Sequence, residues 1–300
     1  MPYWDNVVRS FEISWRHRYL WLLALFAGES GGASFSYSQG VRGGTGSPSQ
    51  NAQQVATWIN QHAGLLIGIS LVWVIGVILL FVLAAVCEGG LIRGAAEHDA
   101  ARPFRLGAAW RSGVGTMWLM VRVRLLLIAL ALPAAVVLLI FVGAFVAAIA
   151  LNSVVAILVG LVGLLAVLAA ILYFIYLSLL DRLGSRTAIL EHQPAVASLV
   201  RAHRLVRERF GRVILVWLVS VAVGIVVGLA STFVLGVIAL PAIISILVLV
   251  AGGPSWLWFV FALGVLIVLV VGIPLNAFLA AQASTYWTLS FRRLELEQAS

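Results

Sequence analysis

Few side chains in this sequence can do chemistry, and their spacing limits what that chemistry is. Gly28-Glu29-Ser30-Gly31-Gly32 matches Gly-x-Ser-x-Gly, the elbow that presents a nucleophilic serine. Such an elbow follows a strand and works with a histidine held by a carboxylate. No strand pattern precedes Ser30, and His62, the one histidine on that side, has no aspartate there to orient it. Ser30 therefore reads first as part of a solvated linker and only second as a hydrolase nucleophile. All 19 basic residues are arginine, which excludes a phosphate loop ending in Gly-Lys-Ser/Thr and any Schiff-base lysine. His17, His62, His98, His192 and His203 lack metal-ligand spacing, so neither a metal nor a cofactor is expected. Cys87, the single cysteine, cannot form a disulfide within the chain.

The remaining polar groups stand within or at the ends of long apolar runs, where each is costly and calls for a role. Glu88, Tyr173, Tyr176, Asn276, Gln282, Thr285 and Tyr286 fall on the inner halves of the even-numbered runs, with Ser178, Asp181 and Ser284 beside them. Convergence of these halves would line a cavity open to the cytoplasm, suited to a lipid head group or small solute. The plainer reading makes tyrosines and serines near helix ends interface anchors or satisfied hydrogen bonders. Glu88 and Asn276 fit that plainer reading least.

The elements that must position these groups are membrane helices. With 63% hydrophobic and 10% charged residues over 300 positions, and a mean hydropathy of +1.10, the chain reads as a polytopic membrane protein. The net charge of +8 comes from arginines in short segments between apolar runs, the pattern of cytoplasmic loops facing anionic lipid rather than of a nucleic-acid surface. This implies a bacterial cytoplasmic membrane, both termini cytoplasmic, and no cleavable signal peptide. Apolar runs at 19–27, 65–86, 125–150, 154–180, 213–238 and 256–288 predict six crossings, the first short for the roughly 20 residues a span needs. Residues 28–54, rich in Gly, Ser and Gln, read as a flexible outer loop, and Asn152-Ser153 as a tight outer turn. Segments 94–105 and 181–193 read as basic inner loops. Residues 239–255, with Pro241 and Gly252-Gly253-Pro254, read as a re-entrant or outer-interface piece. Gly64, Gly68 and Gly76, and again Gly224, Gly228 and Gly236, suit close helix packing in lipid.

Amphipathic helices head the hairpins. Trp4, Val7, Val8, Phe11 and Trp15 keep helical rhythm with Asp5, Arg9, Glu12 and Arg16 behind them. Leu199, Ala202, His203, Val206, Phe210 and Val213 share a face expected to lie in the membrane surface, opposite Arg201, Arg204, Glu208 and Arg212, on a helix running unbroken into the next span. One pattern (apolar, two spacers, small, ring, arginine) recurs at Phe11 to Arg16, Leu106 to Arg111 and Leu199 to Arg204. Arg16, Arg111, Arg201, Arg204 and Arg212 are accordingly assigned to lipid head groups, each adding about 1 kcal/mol beside anionic lipid. The fold expected is all-α, one membrane domain over 1–300, with six transmembrane helices as three hairpins, each preceded by an interfacial elbow helix, in repeat units 4–93, 103–186 and 195–293.

On the elbow motifs at Trp15, Trp110 and His203, the exit Leu91-Ile92-Arg93, and the closing Thr285-Tyr286-Trp287-Thr288-Leu289-x-Phe291-Arg292-Arg293, nearly the whole chain resembles a known family. This is the membrane domain found beside glycerophosphodiester phosphodiesterases, with related bacterial six-span proteins of unknown function. Those phosphodiesterases keep catalysis in a separate soluble barrel, and His17-Arg18-Tyr19 only half matches that enzyme's His-Arg-Gly. The resemblance implies a fold and a membrane role without an activity. Three functions follow. The first is a non-enzymatic membrane protein that binds, organises or transports lipid or another amphiphile, or scaffolds a protein partner or second copy of itself. The second is a permease subunit of an ATP-driven transporter, with a coupling helix on 94–105 or 181–195. The third is a membrane hydrolase using Ser30.

Overall fold

The computed structural model describes residues 2–27, 57, 61–151 and 153–299, and its elements there are α-helices. In chain order they are α1 (Pro2–Arg16), α2 (Tyr19–Ala27), α3 (Ala63–Asp99), α4 (Leu106–Leu151), α5 (Ser153–Leu190), α6 (Ala195–Glu208), α7 (Phe210–Val250) and α8 (Leu257–Ala299). Five of them, α3, α4, α5, α7 and α8, are long and apolar enough to cross a membrane. α2 has 9 residues, about 13 Å at 1.5 Å per residue, under half of a hydrocarbon core about 30 Å thick. The outer loop 28–54, Ser30 and Asn152 lie outside the described residues.

The five long helices run from 37 residues in α3 to 46 in α4, about 55 to 69 Å, so each overshoots the hydrocarbon by 20 Å or more. The packed core occupies the overshooting ends. No more than 11% of the most apolar stretch of any of the five is buried in the protein. By contrast, residues 85–92 of α3, 183–189 of α5 and 284–291 of α8 are buried without a gap. A helix buried all round is a hub, and α8 is one over its C-terminal half: it packs against α1, α2, α3, α5 and α7. The physical cause is that lipid competes for apolar surface on equal terms, so packing concentrates where hydrogen bonds and small residues reward contact.

Glycine sets the closest approach, at positions other than those expected. A Cβ on Gly113 would sit 2.1 Å from the Val86 carbonyl oxygen, and one on Gly90 2.7 Å from that of Ala109, so α3 and α4 cross backbone to backbone. Around Gly64, Gly68 and Gly76, and around Gly224, Gly228 and Gly236, nothing lies within 4 Å of an added Cβ. The two predicted close-packing faces are therefore open in this structure.

Several sequence boundaries also move. The segments expected as inner loops are mostly helix: α3 continues to Asp99 and α5 to Leu190. Of the re-entrant piece, 239–250 simply prolongs α7 through Pro241, and the chain reverses over 251–256, where Gly252 takes φ +87°. Pro241 costs the helix one hydrogen bond, yet α7 is held there against α8, where a Cβ on Gly264 would meet that of Ala242 at 2.7 Å. The middle elbow is not a separate helix, since α4 runs straight from Leu106 to Leu151. The third elbow is separate, but it does break from its span: Arg209 leaves helical geometry at φ −126°, ψ 35°. The break lets α6 pack on α5 and α4 while α7 turns to α8. The apolar face of α6, expected on the membrane surface, is buried in protein at Ala195, Leu199, Ala202, Leu205 and Val206.

Candidate functional site

The end of the bundle where α1 meets the C-terminal half of α8 holds nearly all of the polar side chains the sequence singles out, and its bonds show what they do. Glu88 is 3% exposed and pairs with the guanidinium of Arg124 on α4. Arg124 also donates 2.8 Å to the Ala27 carbonyl, the last of α2, and lies over the Phe81 ring. One arginine thus neutralises a buried carboxylate and caps the C-terminus of a short helix, both favourable to its charge.

Gln282 and Thr285 bind α1 rather than a cavity. Gln282 Nε2 donates to Ser10 Oγ at 3.0 Å, which donates in turn to the Val7 carbonyl at 2.7 Å. Ser14 Oγ donates to Thr285 Oγ1 at 3.4 Å, and Thr285 Oγ1 to the Ala281 carbonyl at 2.8 Å. The Tyr286 hydroxyl donates to the Val216 carbonyl of α7 at 3.1 Å, and Tyr173 to the Leu130 carbonyl of α4 at 2.8 Å. The Tyr176 hydroxyl pairs with Nδ1 of His203 on α6. Asn276 is exposed. Six of the seven residues thus serve five different helix contacts, Gln282 and Thr285 sharing one, and none of the seven lines any of the four described clefts.

Arg186 and Asp99 escaped the sequence reading, and His17, His98, Arg9 and Arg292 bond at this end in ways it did not foresee. Arg186 is fully buried and donates to the Ser284 carbonyl at 3.2 Å and the Arg182 carbonyl at 2.6 Å. Asp99 binds Arg9 at 2.9 Å and Arg292 at 2.6 Å, tying α1, α3 and α8 together. His17 stacks on His98 with ring centroids 3.6 Å apart, and Nε2 of His98 meets the Tyr19 hydroxyl at 2.6 Å. The one available signal was a charge flanked by apolar residues, as in Val121-Arg122-Val123-Arg124. Among the described residues no three His, Cys, Asp or Glu side chains come close enough to hold a metal ion.

All five arginines assigned to lipid are exposed, and Arg201 is in addition engaged by carboxylates. Arg201 is held by Glu191 at 2.7 Å and Glu295 at 3.5 Å. The hydrogen bond it donates to Glu191 chiefly, and the charge of both carboxylates, raise its pKa and hold it charged against partial desolvation. The family model described as "Family of unknown function (DUF7544)" matches residues 10–289. The chain belongs to this family. The match spans the core of the structure, from Ser10 on α1 to Leu289 on α8, and so includes both ends of the Ser10–Gln282 bond. No curated protein and no solved structure matches the chain.

Proposed function

We propose that this chain is a non-enzymatic integral protein of a bacterial cytoplasmic membrane that binds and organises lipid or another amphiphile at its arginine-rich face. In the topology proposed, α2 opens a first crossing, α3, α4, α5, α7 and α8 supply five more, and both termini are cytoplasmic. α1 is its interfacial elbow. Supporting a shared side for the termini, α1 packs along the C-terminal half of α8. Arginine between apolar runs supports a cytoplasmic side.

The observation that carries the lipid reading is a rim at one end of the bundle. Trp4, Trp15, Trp110 and Phe210 are 59%, 61%, 44% and 59% exposed, interleaved with exposed Arg16, Arg111, Arg204 and Arg212. Large rings left unburied beside arginine have the amphipathic match of a head-group layer. Internally, the polar groups are engaged in helix-to-helix bonds, which fits holding a fixed scaffold better than turning over a substrate. The resemblance to the phosphodiesterase-associated membrane domain would imply a membrane role without an activity.

The test is extraction with its surrounding lipid by a styrene–maleic acid polymer, followed by mass spectrometry of what is retained. One lipid class, anionic by this reading, should be enriched severalfold over the parent membrane. A retained composition equal to that of the bulk membrane would end the proposal.

A further inference from the structure

We infer that the bend between α6 and α7 is a seat for one anionic phospholipid, with Arg207 and Arg212 taking the phosphate and Phe210 and Leu215 meeting its acyl chain. This rests on the lipid reading above and gives it a place and a head-group charge.

Four features argue for it. First, the bend forms an open cleft, lined by Arg207, Glu208, Arg209, Phe210, Arg212 and Leu215 around Gly211. Its charged lining is three arginines to one glutamate, so its net charge invites an anion. Second, charge and apolar surface meet there. Phe210 is 59%, Leu215 45% and Leu218 53% exposed, and they continue outward along α7 from the arginines, as a lipid continues from phosphate to acyl chain. An inorganic anion has no use for that apolar strip, which favours phospholipid over free phosphate.

Third, the cleft is held open by the fold. Arg209, at the break, donates 3.3 Å to the Leu294 carbonyl of α8, while Val213 and Val216 are fully buried against the core. Gly211, with nothing within 4 Å of an added Cβ, leaves the middle of the cleft vacant. Fourth, the neighbouring Arg201 shows the contrast: it faces Glu191 and Glu295. Arg207, six residues on, is exposed like Arg201 but meets no carboxylate within 4 Å among the described residues.

Native mass spectrometry of the purified chain in detergent, titrated with phosphatidylglycerol, phosphatidylcholine or inorganic phosphate, tests this. The wild type should retain phosphatidylglycerol in preference to phosphatidylcholine. R207Q/R212Q should lose that preference by about tenfold or more, given about 1 kcal/mol per arginine at a lipid surface. R18Q/R105Q, with the same change in net charge at exposed arginines elsewhere, should keep it. Gly211→Leu, whose Cβ would meet nothing within 4 Å, should lower retention while the melting temperature holds, separating occlusion from misfolding. Equal preference in wild type and R207Q/R212Q overturns the seat, as does displacement of phosphatidylglycerol by an equal concentration of phosphate. If the seat falls while enriched lipid still accompanies the extracted protein, the general lipid reading survives; if neither lipid is retained, both go.

Discussion

At the scale of single residues, one costly group is Glu88, a carboxylate at 3% exposure whose charge is met by Arg124. Removing one member of a buried pair leaves the other uncompensated, which costs far more than the pair itself contributes. Glu88→Leu should therefore lower stability by on the order of 3 kcal/mol, and Arg124→Leu by a similar amount. The double Leu variant should recover most of the loss, because neither charge is then stranded. Thermal unfolding of the four proteins in one detergent measures the cycle, and equal melting temperatures across all four would show the pair to be incidental. Arg124 also caps α2 through the Ala27 carbonyl. Its single variant should thus additionally loosen α2, seen as faster amide exchange over residues 19–27.

At the scale of elements, the α3–α4 crossing depends on the absence of a side chain. At Gly113 a methyl group would lie 2.1 Å from a backbone oxygen that cannot rotate away. Gly113→Ala should cost about 2 kcal/mol or more through forced separation of the two helices. Gly68→Ala and Gly228→Ala meet open space, and should be neutral or gain up to about 1 kcal/mol from helix propensity. The ordering of the three melting temperatures is the check, and a Gly113→Ala protein as stable as the wild type would refute the crossing. The sequence holds both kinds of glycine in similar apolar surroundings. Spacing alone therefore could not tell the glycine that touches a backbone from the glycine that touches lipid.

At the scale of the molecule, the packed core sits at the arginine-rich ends, with long apolar lengths projecting from it as the α4–α5 and α7–α8 hairpins and the outer part of α3. In the proposed topology the turn at 251–256 faces outward and the termini face inward. With Cys87 replaced by alanine, a cysteine at Ser255 should react with a membrane-impermeant maleimide in intact cells, and one at Leu296 only after permeabilisation. The opposite labelling pattern would invert the molecule and move the arginine face out of the cytoplasm.

The amino-acid sequence by itself determined the class, all-helical and membrane-embedded, and the location of the apolar lengths, because hydropathy and period are sums over neighbours in the chain. It also marked the polar groups that needed an explanation, Glu88 and Gln282 among them. Only the tertiary structure decided how they are explained: Glu88 meets an arginine 36 positions away, and Gln282 a serine 272 positions away. Likewise it decided that α6 turns its apolar face to α5 and leaves Arg204 and Arg207 outside. Such pairings depend on the rotation and crossing of helices about one another. In lipid, where apolar faces have no preferred partner, those are fixed by hydrogen bonds and close backbone contacts between segments remote in the chain.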